Sequence, residues 1–283
     1  MTATQTRNRT HMPRALTEVP PFTAVAIKAL QVISNEYGQL RELSDLITTD
    51  AAISGEVLRM ANSALFGGRL QINSILQAIH MLGLERLKGV VVTIAMKSYL
   101  ADSLEVPALR ACWRHSLACA IIAEQLARLN FIEADIAYTA GLMHDVGRLA
   151  LVAGYPSEYA DFLTNLEKEP CDALQRERDL FGIDHCQAGL LLVARWNLPR
   201  TFIAVTSRHH DAPAAGDPAV LSTVRYGCMT AAALGFSVVH PVQPRNFEEI
   251  LSQLPERERS QLPFEPSELT SYIAAKINLI ECA

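Results

Sequence analysis

The stretch GLMHDVGRL, residues 141–149, lies in residues 134–153, which are apolar nearly all round a helical wheel. Such a helix is usually buried in the middle of a fold. It nevertheless carries His144 and Asp145 side by side. Burying a carboxylate or an imidazole without a partner costs on the order of a few kcal/mol, so the fold must supply a compensating group. Two partners for Asp145 stay open: Arg148, three residues on and on the same helical face, and a metal ion.

Neighbouring side chains on a helix differ in direction by about 100°. His144 and Asp145 therefore reach one ion only if that ion lies between helices, which is how metal sites in the cores of helical bundles are built. The sequence thus predicts partner ligands on other helices.

Further histidines lie on, or at the ends of, other apolar helices. On a helical wheel His115 falls away from the charged stripe of its helix, so it points inward. His185 begins the segment HCQAGLLLVARW, and His209 and His210 close the helix after it. The alternatives are a core histidine bonded to a backbone carbonyl for His115 and an exposed helix-end pair for His209 and His210. Nitrogen and oxygen donors without a thiolate indicate Fe, Mn, Ni, Zn or Mg rather than Cu(I).

A helical period dominates the rest of the chain, and alternating strand patterns are scarce, so we predict an all-α fold. Residues 239–266 are rich in proline and charge and predict a loop with one short helix. The expected helices are residues 22–37, 40–48, 51–62, 75–81, 84–100, 108–129, 134–153, 157–168, 171–180, 185–196, 200–208, 219–234 and 268–280.

A change of composition near residues 103–107 divides the chain. We predict an N-terminal helical lobe over residues 16–105 and a second helical lobe, which bears the histidines, over residues 106–283. Residues 1–15 are polar and basic with no apolar core, which predicts a disordered tail and not a secretory signal.

The composition excludes several classes of protein. The 283 residues are 49% hydrophobic and carry a net charge of −5, without a long basic run, so nucleic acid is not an expected partner. No apolar stretch is long enough to span a bilayer, so no membrane partner is expected. The six cysteines form no C-x-x-C pair and lie mostly in apolar helical runs, which is typical of free thiols in a reducing, cytoplasmic compartment.

Several motifs together resemble a known family. The order of His115 and GLMHDVGRL is similar to that in the HD superfamily of metal-dependent phosphohydrolases. The segments LTEVPPFTAVAIKAL, ELSDLITTDAAISGEVLRMANSALFG, ILQAIHMLGLERLKGVVVT and WNLPRTFIAVTSRHHD resemble the HDOD family, the HD-related output domain of bacterial signalling proteins. The resemblance covers about residues 16–211.

This resemblance implies an all-α fold with two helical lobes and a role in signal transduction, commonly as a regulatory or protein-interaction module without demonstrated catalysis. The related HD-GYP family comprises cyclic di-GMP phosphodiesterases with a site for two or three metal ions. Matched position by position, the resemblance implies the metal ligands His115, His144, Asp145, His185, His209 and His210.

The chain departs from that pattern at three points. The family's lysine after HD-x-G is Arg148, and the GYP loop is absent, since Asp211 is followed by APAAGDP. The last ligand, an aspartate on the next long helix, falls near Gly227, which has no side chain to offer. Losing that carboxylate predicts weaker metal binding and weaker activation of a bridging water.

Three hypotheses for the function follow. The first is a non-catalytic signalling module that binds a partner protein, such as a diguanylate cyclase or another regulator, and the departures favour it. The second is a metal-dependent phosphohydrolase acting on a cyclic dinucleotide or a nucleotide, which the retained histidines favour. The third is a sensor that binds a nucleotide or a metal without turnover. In each case we expect the six ligands to converge in one pocket between helices, with His185 at its rim.

Overall fold

The computed structural model describes residues 14–17, 27, 39–63, 71–101, 103–169, 171–238, 246–254, 259 and 265–282. This part of the chain contains helices and no β-strand, which confirms the all-α prediction. None of these helices is both long and apolar enough to cross a membrane. The helices are α1 Arg14–Thr17, α2 Gln39–Thr48, α3 Ala51–Ala61, α4 Ile75–Leu82, α5 Leu84–Leu100, α6 Pro107–Leu129, α7 Ala134–Met143, α8 Gly147–Gly154, α9 Pro156–Lys168, α10 Ala173–Phe181, α11 His185–Arg195, α12 Arg200–Arg208, α13 Ala219–Ala233, α14 Phe247–Gln253 and α15 Pro266–Cys282.

Helices α2 to α5 pack on one another around a shared apolar core. Ser74 begins α4, because its side chain accepts a hydrogen bond from the backbone N–H of Gln77. Gly83 alone joins α4 to α5, with a φ of 78° that glycine adopts at little cost. This one-residue connection fixes the direction in which α5 leaves α4.

Helix α6 is the centre of the second group of helices and packs against both α7 and α13. Pro107 lies in its first turn, where the missing N–H is not needed. Gly141 allows α7 to lie very close to α6, since a Cβ there would be 2.8 Å from the Cα of Ala120. Helices α8 and α11 also pack together.

The single helix predicted over residues 134–153 is wrong, because α7 ends at Met143 and α8 begins at Gly147. Between them the hydrogen bonds span three residues instead of four, as in Val146 N–H to Met143 O at 3.0 Å and Arg148 N–H to Asp145 O at 2.9 Å. This tighter turn interrupts the regular helix at the two residues on which the sequence analysis depends.

Helix α15 connects the two groups of helices. The Nζ of Lys97, on α5, donates to the carbonyl oxygens of Ile280 at 3.2 Å and Glu281 at 2.9 Å. Arg114, on α6, donates to Asn278 Oδ1 at 3.0 Å. A cation near the last carbonyls of a helix also compensates the negative end of its dipole.

Four other predictions concern the ends, the connections and the lobes. The helix predicted over residues 22–37 lies outside the described residues except for Ile27, and so do residues 1–13 of the predicted tail. The predicted short helix within residues 239–266 is α14, which Asn246 and Glu249 begin with a capping box. A short 3₁₀ helix, Ser103–Glu105, precedes α6 near the predicted boundary between the lobes. That division into lobes stays a prediction.

Candidate metal centre

The histidines predicted as ligands form one continuous array where α6, the α7–α8 turn, α11 and the end of α12 meet. The ring centroids of His115 and His144 are 5.3 Å apart, and those of His144 and His209 are 4.9 Å apart. His209 lies 4.3 Å from His210, and His210 lies 5.1 Å from His185. These side chains therefore lie close together between helices, as predicted.

Asp145 lies at the middle of the array and has two kinds of neighbour. Its Oδ1 is 3.3 Å from the Nε2 atoms of both His185 and His209, and its Oδ2 accepts from Arg148 Nε at 2.8 Å. Burial alone raises the pKa of Asp145, but the Arg148 guanidinium holds that pKa well below its usual value. Of the two partners that the sequence left open, Arg148 is therefore present and binds one oxygen of Asp145, while the other oxygen faces two histidine Nε2 atoms.

Four histidines are oriented by hydrogen bonds from their Nδ1 atoms. Because the acceptors are carbonyl or carboxylate oxygens, Nδ1 carries a proton, and Nε2 points into the centre. Metal-binding histidines are commonly held in this way. The pairs are His115 to Phe236 O at 2.7 Å, His144 to Gly141 O at 2.6 Å, His209 to Val205 O at 3.0 Å and His185 to Glu177 Oε2 at 2.6 Å.

Three buried polar atoms of this centre have no hydrogen-bond partner: Nε2 of His144, Nε2 of His209 and Oδ1 of Asp145. Burial lowers the pKa of His144 to about 3, so its ring is a neutral donor of a lone pair. Unsatisfied buried polar atoms are rare and costly in folded proteins, and here three of them lie close together. A divalent cation among them removes both costs, so these residues fit a metal ion.

Glu177 supports the centre, and it was not among the residues predicted from the sequence. Its fully buried carboxylate accepts from the backbone N–H of His185 at 2.8 Å, from Tyr159 Oη at 2.8 Å and from Arg148 Nη1 at 3.3 Å. The available signal was its spacing of four residues from Phe181, which places a carboxylate on the buried face of α10.

Two thiols, those of Cys186 and Cys228, also lie at the centre, although only nitrogen and oxygen donors were predicted from the sequence. The Sγ of Cys228 is 3.4 Å from His115 Nε2. Burial raises the pKa of Cys228 to about 12, so without a cation the thiol stays protonated. The groups whose donor atoms all lie within 4.8 Å of one another are His185, Cys186, His209 and His210; His115, His144 and Cys228; and His144, Asp145 and His209.

The last ligand position, which the resemblance puts near Gly227, lies on α13. Gly227 faces α6, since a Cβ there would lie 3.1 Å from Cys119 O and 3.5 Å from Ala123 Cβ. The residue that faces the histidines is the next one, Cys228. At this point α13 therefore presents a thiol to the histidines.

The rim of the centre also differs from the prediction. His185, expected there, is buried, because its ring is bound by Glu177 and its residue begins α11 inside the fold. His210 is exposed, since it follows the end of α12, and its Nε2 lies 3.1 Å from that of His185. His210 is thus the ligand candidate nearest to solvent.

Two other carboxylates that neighbour candidate ligands in the sequence point elsewhere. Asp184 caps α11 through the N–H of Gln187 and pairs with Arg178. Asp211 is exposed and pairs with Arg208. Within the described part of the chain, Asp145 is the one carboxylate with an oxygen within 4.0 Å of a histidine Nε2 of this array.

Proteins of known structure share the fold of this chain. An HDOD domain protein of unknown function from Geobacter sulfurreducens has a similar structure, with a TM-score of 0.72 and 25% identity over 94% of this chain and 92% of that one. A provisionally named signal transduction protein from Marinobacter aquaeolei VT8 has a TM-score of 0.75 and 20% identity, over 93% of this chain and 60% of that one.

An uncharacterized protein of Treponema pallidum (strain Nichols) is 26% identical over 236 residues, which are 81% of this chain and 45% of that protein. The chain thus spans less than half the length of this relative. The HDOD domain model matches residues 19–212, which is well over half of the chain. The protein therefore belongs to the HDOD family.

Proposed function

We propose that this protein is a bacterial signal-transduction module that holds a divalent metal ion in its HD-type centre, catalyses no hydrolysis and acts by binding a partner protein. A partner with the expected chemistry is a signalling protein, such as a cyclase or another regulator. The observation that carries the proposal is a centre rich in neutral donors but poor in carboxylates. Of its described carboxylates, only Asp145 faces the histidine Nε2 atoms, and Arg148 binds one of its two oxygens.

Hydrolysis of a phosphoester by an HD-type centre needs a water that a metal ion activates and aligns with phosphorus, and paired ions stabilise both the attacking and the leaving oxygen. Neutral imidazoles and one shared carboxylate offset little of the charge of two divalent ions. The second ion is then held weakly, and the paired arrangement is lost. Deleting one well-placed group of such a site typically costs about 100-fold in rate or more.

The alternative is a metal-dependent phosphohydrolase acting on a cyclic dinucleotide or a nucleotide. The observation in its favour is the complete histidine array, with the Nε2 atoms of His144 and His209 unsatisfied. His210, at the exposed rim, gives this array an edge that a substrate phosphate could reach.

We expect purified protein supplied with Mn²⁺ or Fe²⁺ to hydrolyse cyclic di-GMP no faster than the variant His144→Ala/Asp145→Ala. Product formation and elemental metal content are measured on the same samples. The variant His80→Ala is the matched control, because His80 is an exposed histidine on α4, outside the array. Robust turnover that the double variant abolishes and the control retains would establish the alternative.

We further expect metal to stabilise the fold, because an ion gives the three unsatisfied atoms a partner. An ion present at 100 times its dissociation constant adds about 2.7 kcal/mol to the free energy of unfolding. Thermal unfolding with Mn²⁺ and with a chelator measures the difference, which should vanish in Asp145→Ala. Equal midpoints with and without metal in the wild type would contradict metal binding at this centre.

A further inference from the structure

We infer that Cys228 is a metal ligand and that, together with His115 and His144, it forms a thiolate-bearing position that takes Zn²⁺ in preference to Mg²⁺ or Mn²⁺. The inference rests on the proposed metal-holding role of the centre and assigns one ion to three named residues. Cys228 lies on α13, His115 lies on α6, and His144 lies in the turn between α7 and α8.

The distances fit one ion. The Sγ of Cys228 is 3.4 Å from His115 Nε2, and the donor atoms of all three residues lie within 4.8 Å of one another. A zinc ion with bonds of about 2.0 Å to nitrogen and 2.3 Å to sulfur at a tetrahedral angle separates those two atoms by about 3.5 Å. Small movements of the side chains are therefore enough to close the site.

Both histidines are already oriented for this role. Nδ1 of His115 donates to Phe236 O, and Nδ1 of His144 donates to Gly141 O, so each Nε2 offers a lone pair. Without metal, the thiol of Cys228 donates its proton to His115 Nε2, and His144 Nε2 has no partner. A cation takes the place of that proton and also satisfies His144.

The backbone brings Cys228 to this point through a close contact between helices. Gly227 lets α13 approach α6 to a distance at which an added Cβ would be 3.1 Å from Cys119 O. The next side chain along the helix then meets His115. A buried cysteine often acts merely as a small apolar residue. That role does not account for the alignment of its sulfur with one imidazole beside a second, unsatisfied one.

The donor set determines which ion is preferred. A thiolate is a soft ligand that favours Zn²⁺, whereas Mg²⁺ and Mn²⁺ favour oxygen ligands. Two imidazoles and one thiolate also leave the fourth position of a tetrahedral zinc ion open, for water or another ligand. His185, His209 and His210 are not needed for this ion.

Cobalt absorption tests the assignment directly, because Co²⁺ bound to a thiolate gives an intense near-ultraviolet charge-transfer band that nitrogen and oxygen ligands do not give. We expect metal-free protein titrated with Co²⁺ to show this band and Cys228→Ser to lose it. The affinity for Zn²⁺ should fall about 10-fold or more in Cys228→Ser, since even groups that merely support a ligand contribute that much. Cys112→Ser is the matched control and should keep the band, and Cys186→Ser, which removes the other thiol of the centre, shows which of the two thiols gives it.

A second variant distinguishes the loss of a ligand from a folding defect. Cys228→Asp offers an oxygen at the same position, so it should bind metal without the charge-transfer band and with its preference moved towards Mn²⁺. A band that persists in Cys228→Ser, or that only Cys186→Ser removes, overturns the inference. Cobalt bound by the wild type without the band also overturns it, but leaves the metal-holding centre intact. Failure to bind either Co²⁺ or Zn²⁺ refutes both.

Discussion

Replacing Gly147 with alanine is expected to destabilise the protein by about 3 kcal/mol or more, the upper range for overfilling a packed interior. The added Cβ would lie 1.8 Å from the carbonyl oxygen of His185 and 2.5 Å from the amide nitrogen of Gly189. Both are backbone atoms of α11, so no change of side-chain rotamer relieves the overlap. Helices α8 and α11 must separate, and His185 moves away from Asp145.

Urea unfolding followed by circular dichroism measures this effect. The matched control is Gly55→Ala on α3, where the added Cβ meets nothing within 4 Å. That exposed helical position should gain up to about 1 kcal/mol, the difference in helix propensity between glycine and alanine. If Gly147→Ala unfolds at the wild-type midpoint, the close contact between α8 and α11 is wrong.

Replacing Glu177 with alanine is expected to cost about 3–5 kcal/mol, the usual penalty for removing one partner of a buried ion pair. Arg148 and Tyr159 both donate to this carboxylate and both are buried, so the substitution takes an acceptor from each. The loss should be visible as a lower midpoint in the same unfolding experiment.

The substitution also removes the acceptor that orients His185, since Nδ1 of His185 donates to Glu177 Oε2 at 2.6 Å. We therefore expect affinity for metal to fall by about 10- to 100-fold, as is usual for a group that supports a ligand. Isothermal calorimetry checks this value. Glu169→Ala is the control, because Glu169 is exposed and should change stability by less than about 0.5 kcal/mol. Wild-type stability in Glu177→Ala would mean that the buried network does not form.

The fold was predictable wherever local signals mark the ends of helices. The bounds of α5 and α12 agree with the prediction, because Gly83 and Pro199 stand directly before them. The break between α7 and α8 was not predictable in this way. The apolar pattern continues through it, and the contact of Gly147 with the backbone of α11 is visible only in three dimensions.

The candidate ligands could be recognised because an imidazole or a carboxylate on an apolar helix is anomalous. Cys228 could not, since a thiol is an ordinary residue of a helical core. Cys228 directly follows Gly227, near which the resemblance puts the last ligand, and one residue turns the side chain by about 100° around a helix. Glu177 was also difficult to recognise, because it lies on a short helix that is otherwise mostly polar.

The acceptors that orient the histidines differ in how easily a mutation removes them. Three of them are main-chain oxygens, those of Phe236, Gly141 and Val205, and a point mutation that changes the side chain leaves the oxygen in place. The fourth is the carboxylate of Glu177, which a single nucleotide change can delete. Most of the array is thus insulated from sequence drift, and the orientation of His185 is the one that a point mutation removes most easily.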